Sequence, residues 1–346
     1  MIELREDSLV FRFPEVHEDA VLEVDFQRTL RIPDDNREYP LPPGLGRFPL
    51  LHVDDHAERL PQAWSRHGGV FLPMHQAEAM WISFRAGYPM AVKVAAGKIN
   101  ALTGEPWRDE LTEEPQDYLV APEQPWLDGF CVTKGLIRQF VAMPLGEGYS
   151  AEEQLTGEAH HGGLQIAASP MTAPRYQKIL ERQRRLERHL HARRIDALAM
   201  QASAEMGLAP GGLMRQEIYR DRHGFDAWER SVRSRCFVHI LNSAQFLAAT
   251  GARPPHEPPT ALEYSRAGLP WFDYYGGDLT ALEGAKGLAG LDSVAQAAFK
   301  KEGTVLPGNE PVAPALVRTL PARTVREGDF DDGPSGLVCG TPLMED

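Results

Sequence analysis

A chain of 346 residues with 42% apolar and 25% charged residues is long enough to bury a core without disulfide or metal staples. No apolar run reaches the ~18 residues that a helix needs to cross a bilayer. The formal net charge of −13 works against whole-surface attraction to nucleic acid or anionic lipid, although a local basic patch can override it.

The amino terminus reads Met1-Ile2-Glu3-Leu4-Arg5-Glu6-Asp7, acidic where a secretory signal is basic, so the expected location is the cytoplasm. From Val21 the apolar period is two. Leu22, Val24 and Phe26 share one face and Glu23 and Asp25 the other, which predicts a half-buried strand. Further strands are expected at 70–72, 80–84, 91–95, 117–121, 130–133, 136–143 and 164–168. The intervening segments, such as 40–46 and 103–106, are turn formers rather than crossover helices, so consecutive strands should pair mainly antiparallel. Segment 136–143 reads as a central strand in which Arg138 and Gln139 are embedded polar groups pointing opposite ways, each requiring a partner.

After Pro170 and Pro174 the apolar spacing lengthens to three, four or seven at Tyr176, Ile179, Leu186, Leu190 and Ala197, predicting a narrow amphipathic helix over 174–206. Its other faces carry a basic stripe that includes Arg182, Arg185 and Arg188. A second helix is expected from Asp226, with Glu229 completing a capping box, a buried stripe through Trp228, Val232, Cys236, Ile240, Ala244 and Leu247, and a stop at Gly251. Thr260 with Glu263 repeats the capping signal, and short helices are expected at 279–285 and 293–300. Beyond Gly303 the Pro-, Gly- and acid-rich chain has no apolar period, which predicts an extended or disordered tail contributing little to the core. The predicted class is α+β: a mainly antiparallel β-sandwich or distorted barrel over 1–171, a helical region over 172–302 packing on it, and the tail over 303–346.

The chemical motifs are sparse. Gly97-Lys98 fails as a phosphate loop, because the first glycine of GxxxxGK falls at Val92 and the Ser or Thr after the lysine is Ile99. Cys131, Cys236 and Cys339 stand far apart in no CxxC or finger spacing, so neither a disulfide framework nor a zinc knot is suggested. His52-Val53-Asp54-Asp55-His56 lacks the HExxH pattern and reads as a surface loop. His160-His161-Gly162-Gly163, preceded by Glu158, is the better metal candidate: adjacent side chains on a strand face opposite ways, but the glycines permit the bend that joint ligation needs. Aromatic density peaks at 269–277, where Trp271, Tyr274 and Tyr275 form a contact candidate, since Trp and Tyr give large contact area at low entropy cost. Segment 125–129 reads as a turn packed by Trp126.

No catalytic signature such as GxSxG or a dinucleotide fingerprint occurs, and nothing identifies a cofactor. The first functional expectation is therefore a non-catalytic binding or assembly protein, meeting a protein partner or a second copy of itself through the basic helix and the aromatic segment. Arg138, Gln139, Arg182, Arg185, Arg188, Trp271, Tyr274 and Tyr275 are its candidate binding residues. The alternative is a metal-assisted hydrolase or other small-molecule enzyme with Glu158, His160 and His161 as ligands and Arg138 as the anion partner. Nucleic-acid binding through the arginines is disfavoured by the net charge.

Overall fold

The computed structural model describes residues 1–186, 206–274 and 279–320, with backbone alone for 182–186. The chain opens on a hairpin, Ile2–Arg5 against Ser8–Arg12, whose two-residue turn places Glu6 and Asp7 at φ 47° and 63°. Positive φ at both turn positions matches the twist of paired strands. Ser8–Arg12 pairs in turn with Val21–Thr29, where Leu22, Val24 and Phe26 are fully buried, as their alternation predicts. The opposite face of that strand is not left to water. Asp25 is itself fully buried, and Arg85 of the neighbouring Ala79–Ala86 strand reaches both Asp25 (2.9 Å) and Glu23 (2.7 Å).

This first sheet has ten strands and continues through Leu136–Pro144 to Met206–Arg215. A seven-stranded sheet runs in the order Ile99–Asn100, Met90–Ala96, Leu164–Pro170, Ser234–Asn242, Val70–Met74, Leu51–His52. Phe26, Phe84, Val94, Ile166, Leu208 and Ile240 belong to one continuous core, so the two sheets form an α+β sandwich. Every strand expected between 70 and 168 is present, its ends within two residues of the predicted ones. Among the described residues pairing is antiparallel except at three places, one of which sets Ser234–Asn242 beside Val70–Met74.

The region expected to be helical departs from its pattern at several places. Instead of one helix from Asp226 to Gly251, a short 3-10 turn at Phe225–Ala227 precedes the strand Ser234–Asn242, and only Ser243–Thr250 is helical. Glu229 does not close a capping box; its carboxylate accepts from the Ser231 backbone (3.2 Å). The physical reason is that Cys236 and Ile240 stand four apart, a spacing that satisfies a period of two as well as 3.6, and Val238 between them completes the strand face. Met206–Arg215 is a strand despite three glycines and a proline. Gly212 is needed there because a Cβ would lie 2.5 Å from the Pro33 carbonyl oxygen.

The helix Ala173–Leu186 begins where the period changes and lies on the surface, with Tyr176 and Leu180 buried and Arg175 and Lys178 exposed. The rest of the predicted basic helix falls outside the described residues. Capping boxes start Ala261–Arg266 at Thr260 and Val294–Glu302 at Ser293. The helix expected at 279–285 is displaced to Lys286–Ala289, and Ala281 bridges Tyr219 instead. The tail is extended and mostly exposed as far as Leu320, as expected; it still touches the body of the fold, since Val312 joins the core and Val317–Leu320 pairs in parallel with Trp271–Tyr274. The lack of an apolar period concealed this pairing, because a strand held by backbone hydrogen bonds needs no periodic apolar face. Residues 321–346 lie outside the described residues. No described helix is long and apolar enough to cross a membrane.

Candidate functional site

The chain changes pairing partner at Asp128. Trp126–Leu127 pairs with Ala79–Ala86, whereas Gly129–Thr133 pairs with Leu136–Pro144. Glycine is required beside the acid, since a Cβ at 129 would lie 1.9 Å from the Arg138 carbonyl oxygen. At this switch Asp128 is 4% exposed, and its partners are neutral. Gln216 Nε2 donates to Asp128 Oδ2 (2.7 Å), Asp128 N donates back to Gln216 Oε1 (3.1 Å), and the Trp126 side chain supplies another hydrogen bond. Burial without a cation pushes the carboxyl up to about 7, with the two side-chain hydrogen bonds pulling the other way.

Asp128 lines a cleft of about 40 Å³ whose aromatic walls are Trp81, Trp126 and Phe272. Each wall is fixed by a different part of the chain. Trp126 is cross-strand partner to Ser83 on the strand that carries Trp81. The Leu41 and Phe272 backbones exchange hydrogen bonds of 2.7 and 2.9 Å, and Thr29 Oγ1 donates to the Pro43 carbonyl (2.8 Å), holding the proline-rich rim. Tyr274 meets Trp126 edge-on with centroids 4.6 Å apart.

A larger cleft of about 310 Å³ is lined by Asp109, Glu110, Ser169, Phe225, Arg230 and Arg233. Its charges answer one another: Arg233 lies 3.5 Å from Glu110, Arg235 bonds Asp109 at 2.7 Å, and Arg230 stands over the Phe225 ring. Size favours this second cleft. Unanswered chemistry favours the first, and chemistry decides what a site can select.

The sequence-predicted residues divide accordingly. Tyr274 packs against the wall residue Trp126, but Trp271 is fully buried, its indole donating to Ser265 Oγ (3.2 Å), because it anchors the strand pair rather than offering contact area. Tyr275 lies outside the described residues, as does Arg188, and Arg182 and Arg185 lie where backbone alone is described. Gln139 is wholly buried and spans two backbone groups, accepting from Ile32 N (3.1 Å) and donating to the Leu30 carbonyl (2.8 Å). Arg138 is also buried, 3.2 Å from the Gly211 carbonyl and 3.6 Å from Asp34, so its charge is committed inside the fold rather than to an external anion.

Glu158 and His160 are exposed, and His161 turns to another acid: its Nδ1 lies 2.9 Å from the buried carboxylate of Glu152. Among the described residues no group of three or more His, Cys, Asp or Glu is placed to hold a metal ion. Cys131 and Cys236 are buried free thiols, pushed up to about 12 by burial. The residues that sequence reading missed are Trp81, Asp128 and Gln216. The available signal was local: an acid between the apolar Trp126-Leu127 and a glycine, in a segment read only as a turn. No family model matches the chain, and neither a curated protein nor a solved structure matches it, so the reading of this cleft rests on its own geometry.

Proposed function

We propose that this is a binding protein whose ligand carries a small organic cation, an alkyl- or methylammonium group, received between Trp81, Trp126 and Phe272 with Asp128 as the counter-charge. One observation carries the reading: a buried carboxyl with only neutral partners lines an aromatic-walled cleft. Aromatic faces attract a cation by about 0.5–2 kcal/mol, most strongly at tryptophan. Burial is what holds the carboxyl high, so an ammonium beside it would favour its ionised form. A volume of about 40 Å³ admits only the leading methyl groups of a headgroup; pockets that enclose a whole drug-sized ligand reach roughly 300–1,000 Å³. The ligand's remainder would lie outside the cleft.

Choline and its neutral isostere 3,3-dimethylbutan-1-ol test this directly. Choline should change tryptophan fluorescence and bind at least ~10-fold more tightly than the alcohol, a difference of about 1.4 kcal/mol. Asp128→Asn should erase that preference. Because only the ionised carboxyl is a counter-charge, choline affinity should rise by about tenfold per pH unit up to the carboxyl's value of about 7 and level off above it. Equal affinity for choline and the alcohol would contradict the reading.

A further inference from the structure

The seven-stranded sheet carries a second arrangement, remote in kind from cation binding. Ser234–Asn242 and Val70–Met74 run parallel with Asn242 opposite Met74, so the residues that follow, Ser243 and His75, emerge side by side at the carboxyl ends of two parallel strands. Ser243 opens the helix Ser243–Thr250 with no linker after the strand, and the Asn242 side chain makes no capping bond. Ser243 Oγ lies 3.4 Å from His75 Nδ1, and His75 Nε2 lies 3.0 Å from the Pro255 carbonyl oxygen. A carbonyl can only accept, so Nε2 carries the proton in the neutral imidazole. Nδ1 therefore presents its lone pair to the serine hydroxyl.

A buried ion pair holds both sides of this arrangement. Glu78, 1% exposed, accepts from the His75 backbone N (2.9 Å) with one oxygen and from Arg28 Nε (2.6 Å) with the other. Arg28 in turn donates to the His256 carbonyl (2.7 Å), next to the Pro255 carbonyl that orients the imidazole. The turn from His75 to Glu78 also holds Ala77 at φ 63°, a strained conformation for a residue with a Cβ.

We propose that Ser243 and His75 form a nucleophile–base pair that accepts acyl groups from small carboxylic esters, with Pro255 O, Glu78 and Arg28 as positioning groups. Ser243 Oγ attacks the ester carbonyl carbon while its proton passes to His75 Nδ1. The carbon–oxygen bond to the alcohol breaks, and His75 returns the proton to the leaving alkoxide. Water then repeats the sequence: its oxygen attacks the acyl carbon, its proton goes to His75 and on to Ser243 Oγ, and the carboxylic acid departs. First-turn N–H groups left without a side-chain cap are the donors suited to the developing oxyanion. A separation of 3.4 Å is within the looser range such pairs take before substrate is bound.

The test is reaction of the full-length protein with a fluorophosphonate, in which Oγ attacks phosphorus, fluoride leaves and the proton goes to His75. Peptide mass mapping should place one adduct on Ser243 and none on Ser243→Ala. His75→Gln and His75→Asn, each checked for an unchanged melting temperature, should label at least ~100-fold more slowly. p-Nitrophenyl acetate turnover should fall to the buffer rate in Ser243→Ala. Failure of the wild-type chain to form the Ser243 adduct overturns the proposal, as does labelling of a folded His75 variant at the wild-type rate. Both readouts are independent of choline binding.

Discussion

Asp117 and Asp128 are both buried, at 6% and 4% exposure, yet their surroundings are opposite. The carboxylate of Asp117 is met by Lys93 Nζ and by the Thr112 backbone N (2.9 Å), and Lys93 is itself tied to the Glu110 carbonyl and set over the Trp107 ring. That acid is spent within the fold, joining the Leu119–Ala121 region to the Met90–Ala96 strand. Asp128 has a glutamine and an indole for partners and an open cleft beside it. Equal burial thus has two meanings, and the presence or absence of a cation separates them.

The largest expected effect is at the closed pair. Lys93→Met leaves Asp117 as an uncompensated buried charge and should destabilise the protein by about 3–5 kcal/mol in urea unfolding. Asp128→Asn, measured at pH 5 where the wild-type carboxyl is protonated, should change stability far less, because the amide can keep neutral hydrogen bonds. Similar losses for both variants would break the comparison.

Next in size is the pH dependence. The folded-state carboxyl of Asp128 lies near 7, above its ordinary 3.8, so the folded chain binds this proton more tightly than the unfolded one. Its contribution is fully present below about pH 4, declines as the pH rises toward 7, and is absent above that, at most about 4 kcal/mol in all. The difference between wild type and Asp128→Asn across pH 4–8 isolates it from other groups. A smaller effect belongs to the wall: Trp81→Leu should weaken choline about 5-fold, the loss of one cation–aromatic contact, with the melting temperature followed as a control.

The sandwich was largely legible, because period-two alternation is a local signal that burial enforces residue by residue. Val21–Thr29 was readable for that reason, Leu136–Pro144 as an apolar run with two embedded polar groups, and the capping box at Thr260 because it closes within four residues. Ser234–Asn242 was hidden by a spacing of four that two periods share, and Met206–Arg215 by glycines that serve close backbone approach rather than turns. The aromatic expectation could not separate Tyr274, packed on Trp126, from the buried Trp271, since both stand on one short strand. The cleft itself was illegible. Asp128 acquires its character from Trp81, Gln216, Phe272 and the Pro42–Pro43 rim, which only the folded topology brings together.

Proton release on binding tests the central claim most directly. If an ammonium ion takes Asp128 as its counter-charge, choline binding at pH 6 should expel nearly one proton per site, read from the dependence of the calorimetric heat on buffer ionisation enthalpy. The release should vanish at pH 8, where the carboxyl is already ionised, and in Asp128→Asn at either pH. Choline binding without proton release at pH 6, or release that persists in Asp128→Asn, would contradict the account.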